Sequence, residues 1–146
     1  MEKLLFIDKD REGQVRQEAK RVRDKYSPKS LEDLRDIARE EYGIKIVEGV
    51  GRSRGSAGWN GKSFEIKFNP SNSKPLDSMV LAHEIGHIAM GHPVVRPSST
   101  LTELEAHCFS QELNGITPVR YWIYFLFKEG GEIVKKLASD LYHRIF

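Results

Sequence analysis

The 146-residue chain has a single cysteine, so no intrachain disulfide can form and a reducing, cytoplasmic setting is expected. It lacks any uninterrupted apolar run of about 18 residues, so no transmembrane helix is expected. The opening Met1-Glu-Lys-Leu-Leu-Phe-Ile-Asp8 has an apolar patch too short, and too soon acidic, for a signal peptide. There is little excess charge. Lys and Arg number 23 against 21 Asp and Glu, for a net +2, and that balance neither demands nor excludes a polyanionic partner. Arg16, Lys20, Arg21, Arg23 and Lys25 make a basic stripe within the charged, helix-like residues 4–25. Glu18 and Asp24 interrupt it, so a solvated helix face is expected there and direct nucleic-acid binding is not. Gly49 to Gly61 is glycine-rich, but no G-x-x-x-x-G-K-[ST] joins a strand to a helix, which excludes a phosphate loop. Repeats and low-complexity tracts are absent. With 39% hydrophobic residues the chain suffices for a single core.

What is present is concentrated at His83-Glu84-Ile85-Gly86-His87, within the apolar stretch Met79–Met90. On a helix, positions i and i+4 share a face, so His83 and His87 can reach one ion. Glu84 lies beside the first histidine and can reach a water rather than the ion. H-E-x-x-H on a helix is the pattern of zinc hydrolases: two imidazoles hold Zn²⁺ and the carboxylate takes a proton from the nucleophilic water. So short a motif also arises by chance, and its surroundings decide. Leu76, Met79, Val80 and Ile88 recur with the histidines at helical spacing, which predicts a half-buried helix. Pro75 suits a first helical turn, and Gly91 and Pro93 are stop signals.

A catalytic zinc site takes three protein ligands and leaves one position open. The long form H-E-x-x-H-x-x-G-x-x-H needs Gly at 90 and His at 93. The chain has Met90 and Pro93, with Gly91 and His92 one position late, and a one-residue slip turns a helical side chain by about 100°. A carboxylate from a following helix is the alternative. Thr100-Leu-Thr-Glu103 matches a capping box and opens a helix. Glu105 is favoured as third ligand, because Glu103 already has a structural task as the reciprocal partner of the box. Glu103 stays as competitor and His107 as a weaker candidate. His107, Tyr121 and Arg120 are candidates for stabilising a transition-state oxyanion.

The remaining pattern predicts an α+β fold: a small antiparallel sheet of about three strands packed on a helical bundle that carries the motif. Ser27-Pro28 opens a helix with Leu31, Leu34, Ile37 and Ala38 inward and Gly43 at its end. Ile44–Glu48 alternates as a strand, and Asn60-Gly61 signals a hairpin between Ala57–Trp59 and Phe64–Phe68. The Phe64–Phe68 strand is read as an edge that could pair with an extended substrate, a central strand being the alternative. Pro93 to Ser99 reads as an extended rim or lid. Val119–Phe127, capped by Thr117-Pro118, and Glu132–Ile145 read as two closing helices. A single domain is expected, with residues 1–27 a helical extension, 28–115 the core of the site and 116–146 the C-terminal helices.

Three segments in order carry a family resemblance: Phe64-Glu-Ile-Lys-Phe-Asn-Pro70, then Leu81-Ala-His-Glu-Ile-Gly-His87 with Gly91-His92, then Glu103-Leu-Glu-Ala-His-Cys-Phe109. Over about residues 31–120 the chain resembles the ImmA/IrrE family of zinc metallopeptidases. After the third segment it departs from the family's Ala-rich continuation and reads Ser110-Gln-Glu-Leu-Asn-Gly-Ile-Thr-Pro118. The resemblance implies a gluzincin-like site, with zinc on the two motif histidines and a downstream Glu and with Glu84 as general base. It also implies a protein substrate of regulatory type, such as a DNA-binding repressor. The rival class is a catalytically silent zinc protein that binds a repressor or toxin partner.

Overall fold

Val15, Ala19 and Val22 recur at helical spacing through an otherwise charged segment, and all three are fully buried. They define the inner stripe of α1 (Lys9–Tyr26), which Asp8 caps by accepting hydrogen bonds from the Asp10 and Arg11 amides. The computed structural model describes residues 7–49, 51, 53–71, 73–94, 99–118 and 121. Its backbone contacts divide the chain into two compact units, Met1–Gly115 and Ile116–Phe146. α1 lies in the first unit. Several of its cations are paired: Arg16 with Glu12, Arg21 and Lys25 with Glu41, and Arg23 with Glu112.

α2 (Leu31–Tyr42) starts at Ser30, whose hydroxyl accepts from the Asp33 amide, and ends at Gly43 in the left-handed region. β1 (Lys45–Glu48) follows, then β2 (Gly55–Trp59) and β3 (Phe64–Phe68) joined by the Asn60-Gly61 hairpin. The strand order is β1-β3-β2. β2 pairs antiparallel with β3, but β1 pairs parallel with it, Ile46 opposite Ile66. The sheet is mixed rather than antiparallel, because the two chain reversals flanking β2 return β3 to the direction of β1. β3 is thus the central strand and β2 an edge, which corrects the expectation for Phe64–Phe68. Ile66 and Phe68 point into the core, at 0% exposure. Asn69, just beyond β3, ties the other strand ends together: its side chain accepts from the Gly49 amide and donates to the Ser53 carbonyl.

α3 (Lys74–Ala89) carries the motif and is not half-buried but buried almost all round, Met79 through Ile88 included. α2, β2 and β3 contact it, and α4 (Thr100–Leu113) packs on it most extensively. Ser73 caps α3, with Pro75 in its first turn. α4 comes close because residue 86 is glycine. A Cβ there would sit 3.0 Å from the Phe109 Cβ. The Ser110 hydroxyl donates to the Met79 carbonyl at 2.7 Å and fixes the helices' relative height. Burying side chains such as Ile85 and Phe109 fully stabilises by roughly 1.5–3 kcal/mol each. Among the described residues no helix is long and apolar enough to cross a membrane. In the second unit, the Tyr121 amide donates to the Thr117 carbonyl, one helical turn back. The rest of the two expected closing helices, and residues 95–98 of the expected rim, lie outside the described residues.

Candidate metal centre

One turn apart on α3, His83 and His87 bring their Nε2 atoms to 3.2 Å from each other. Glu103, from the first turns of α4, closes the triangle, with Oε2 2.8 Å from His83 Nε2 and Oε1 3.1 Å from His87 Nε2. The ligand atoms of these three residues lie within 4.8 Å of one another and could hold a metal ion. The spacing fits. Two nitrogens each about 2.0–2.1 Å from one tetrahedral ion stand about 3.3–3.4 Å apart. Two imidazoles and a carboxylate are also a donor set that suits zinc.

The carboxylate in the triangle is Glu103 and not the favoured Glu105, and the reason is a cap displaced by one residue. The N-cap of α4 is Ser99, not Thr100. The Ser99 hydroxyl accepts from the Thr102 amide, and the Thr102 hydroxyl donates back to the Ser99 carbonyl. Thr102, rather than Glu103, therefore stands at the third helical position, and Glu103 faces the histidines. Glu105 is placed elsewhere. Its Oε1 accepts from Arg11 Nε at 2.9 Å and Nη2 at 2.8 Å, and lies 2.8 Å from His92 Nε2.

Glu84 lies at the side of the cluster, 3.8 Å from His83 Nε2 and outside the ligand triangle. Edge strand β2 runs over it. A Cβ on Gly55 would stand 3.0 Å from Glu84 Cγ and 2.9 Å from Val80 Cγ1, so only glycine lets the strand approach so closely.

His92 is a site residue that ligand spacing rejected. Its signal was the Gly91-His92 pair after the helix. Met90 caps α3, and Gly91 takes φ +70°, a left-handed conformation that glycine adopts freely. The Gly91 amide then donates to the Ile88 carbonyl and the His92 amide to the His87 carbonyl, a Schellman termination. That turn folds His92 back, so that its Nδ1 stands 3.0 Å from His87 Nδ1.

The electrostatics divide the histidines. Burial alone would lower the pKa of His83, but the Glu103 hydrogen bond and the charges of Glu84 and Glu103 outweigh it, and the net shift is upward. Burial lowers His92, against an opposing hydrogen bond from Glu105. His107, four residues beyond Glu103 on α4, has its ring centroid 4.2 Å from that of His83. Burial and then the neighbouring His83 charge push it well below the usual histidine range. His107 is therefore neutral near pH 7 and adds no charge that would repel a cation. Cys108 is inert as a nucleophile, since burial raises its thiol pKa to about 11. Of the oxyanion candidates, Tyr121 is fully buried and belongs to the second unit, while Arg120 lies outside the described residues.

No model of a known protein family matches the chain, and neither the curated proteins nor the solved structures contain a significant match.

Proposed function

We propose that the protein is a zinc-dependent peptidase, with His83, His87 and Glu103 as ligands and Glu84 as general base. One observation carries this reading: three donor groups converge with the spacing of a single ion, while a fourth group, Glu84, stands beside them without joining them. A purely structural site has no use for that extra carboxylate. When bound, zinc supplies a Lewis acid that activates water and polarises a carbonyl. Glu84 accepts the proton of the attacking water and delivers it to the departing amine. The buried walls of α3 and α4 hold bulk water away and strengthen both interactions.

The proposed substrate is an extended segment of a protein. In the order β1-β3-β2 the outer side of β2 carries no partner strand among the described residues. A peptide added there takes backbone hydrogen bonds and passes Gly55, and hence Glu84. The resemblance to ImmA/IrrE peptidases favours a regulatory protein, such as a DNA-binding repressor, as the source of that segment.

A peptide library incubated with zinc-loaded protein and read by mass spectrometry tests the reading. Cleavage that stops on chelation, and in a Glu84→Gln variant that still binds one zinc per chain, is the expected result. Cleavage by Glu84→Gln at the parental rate contradicts the general-base role. Stoichiometric zinc with no cleavage of any library member or of a co-encoded repressor favours the catalytically silent binder.

A further inference from the structure

Glu105, Arg11 and His92 leave the ligand triangle untouched, yet they form an unbroken line of hydrogen bonds that ends on one of its members. Arg11 comes from α1, Glu105 from α4 and His92 from the turn after α3. Three donors converge on one carboxylate oxygen: Arg11 Nε at 2.9 Å, Arg11 Nη2 at 2.8 Å and His92 Nε2 at 2.8 Å. The far face of the same imidazole meets His87, Nδ1 to Nδ1, at 3.0 Å. Glu105 and His92 are both buried, at 5% and 8% exposure, so water does not substitute for these partners.

The donor and acceptor roles can be assigned from the outer end inward. A guanidinium only donates, so Glu105 accepts as a carboxylate. A carboxylate already held by Arg11 obliges His92 to present its proton on Nε2. The neutral ring then has a bare lone pair at Nδ1. His87, facing that lone pair, must be the donor, with its proton on Nδ1. Its Nε2 is left unprotonated, and Nε2 is the atom that faces His83 and Glu103. We propose that Arg11, Glu105 and His92 act as a positioning relay that sets the tautomer and ring orientation of His87 and so aims its Nε2 lone pair at the metal position. The proposal rests on the reading of His83, His87 and Glu103 as ligands. It also gives α1 a task, because Arg11 anchors the outer end of the relay. His83 has no such support among the described residues, where its buried Nδ1 meets no hydrogen-bond partner. Orientation of the pair thus comes from the His87 side, and metal affinity should depend on residues that never touch the ion.

The test uses the full chain, labelled with ¹⁵N-histidine and loaded with zinc. The relay requires a ¹⁵N–¹⁵N coupling across the hydrogen bond between His87 Nδ1 and His92 Nδ1, and a His92 ring protonated on Nε2. Competition titration against a zinc chelator supplies the second readout. His92→Phe should weaken zinc binding about 10–100-fold, the range typical of partners behind a ligand. Glu105→Gln should weaken it less and Arg11→Met least, a gradient that follows distance along the relay. A parent chain that takes up one zinc while His92 carries its proton on Nδ1 overturns the relay and leaves the ligand reading standing. Folded His92→Phe and Glu105→Gln variants with parental affinity overturn it equally. A parent chain that takes up no zinc removes the ligand reading and the relay with it. The coupling is measured on the parent, so a variant that fails to fold does not remove the test.

Discussion

At the scale of single residues, the decision between Glu103 and Glu105 turns on which serine or threonine caps α4. Both carboxylates follow the same turn, and both end beside a histidine. Only Glu103 meets the two Nε2 atoms, whereas Glu105 meets Arg11 and His92. Removing either carboxylate should therefore weaken metal binding to different extents. Glu103→Ala takes away a ligand and should cost more than the about 10–100-fold expected for a group behind a ligand. Competition titration against a chelator separates the two positions. Equal zinc affinity in Glu103→Ala and the parent would remove Glu103 from the ligand set.

At the scale of elements, the site depends on where α3 and α4 begin, end and cross. Ser99→Ala deprives the Thr102 amide of its acceptor and should destabilise the fold by about 1 kcal/mol. Thermal unfolding checks this, and an unchanged midpoint would mean that the cap does not hold α4. The motif helix, the hairpin at Asn60-Gly61 and the inner face and end of α2 are legible in the sequence, because each has a local cause: an apolar period, a turn dipeptide, a terminal glycine. The start of α2 is not: Ser27-Pro28 does not open it, because Ser27 is the left-handed C-cap of α1 and Ser30 is the N-cap of α2. The features that escaped are those set by contacts far apart in the chain. α1 reads as solvated because only Val15, Ala19 and Val22 face inward, and so narrow a stripe is hidden by the surrounding charge. The parallel partner of β3 lies twenty residues earlier, beyond the reach of any hairpin signal. The cap of α4 lies one residue before the capping-box match, because Thr100 has Glu103 three residues on whereas Ser99 has only Thr102 there, and only the hydrogen bonds identify Ser99 as the cap. Ligand spacing excludes His92 from the motif, and the helix stop at Gly91 does not by itself reveal that the turn folds His92 back onto His87.

At the scale of the first unit, α1 and α2 are joined by a polar cluster. Glu41 on α2 accepts from Lys25 and from the Tyr26 hydroxyl, each at 2.9 Å, and pairs with Arg21 at 2.7 Å. The Lys25, Arg21 and Tyr26 hydrogen bonds lower its pKa from 4.5 to about 2. A carboxylate depressed on folding stabilises the native state above its unfolded pKa, and that contribution is lost as pH falls through the folded value. Stability from Glu41 should therefore be complete above about pH 4.5 and decline toward pH 2. Denaturant unfolding of the parent and of Glu41→Gln should show the variant less stable at pH 7, with the gap closing over that interval. A gap independent of pH would assign the effect to packing. Because α1 also supplies Arg11, loosening this joint should weaken the support behind Glu105.

The central claim is that His83, His87 and Glu103 together hold one ion. Anomalous diffraction from a zinc-soaked crystal, collected on both sides of the zinc absorption edge, tests it most directly. The expected result is a single peak about 2.0–2.2 Å from His83 Nε2, His87 Nε2 and one Glu103 oxygen. A peak bound instead by His92 and Glu105, or no peak between the two motif histidines, would contradict it.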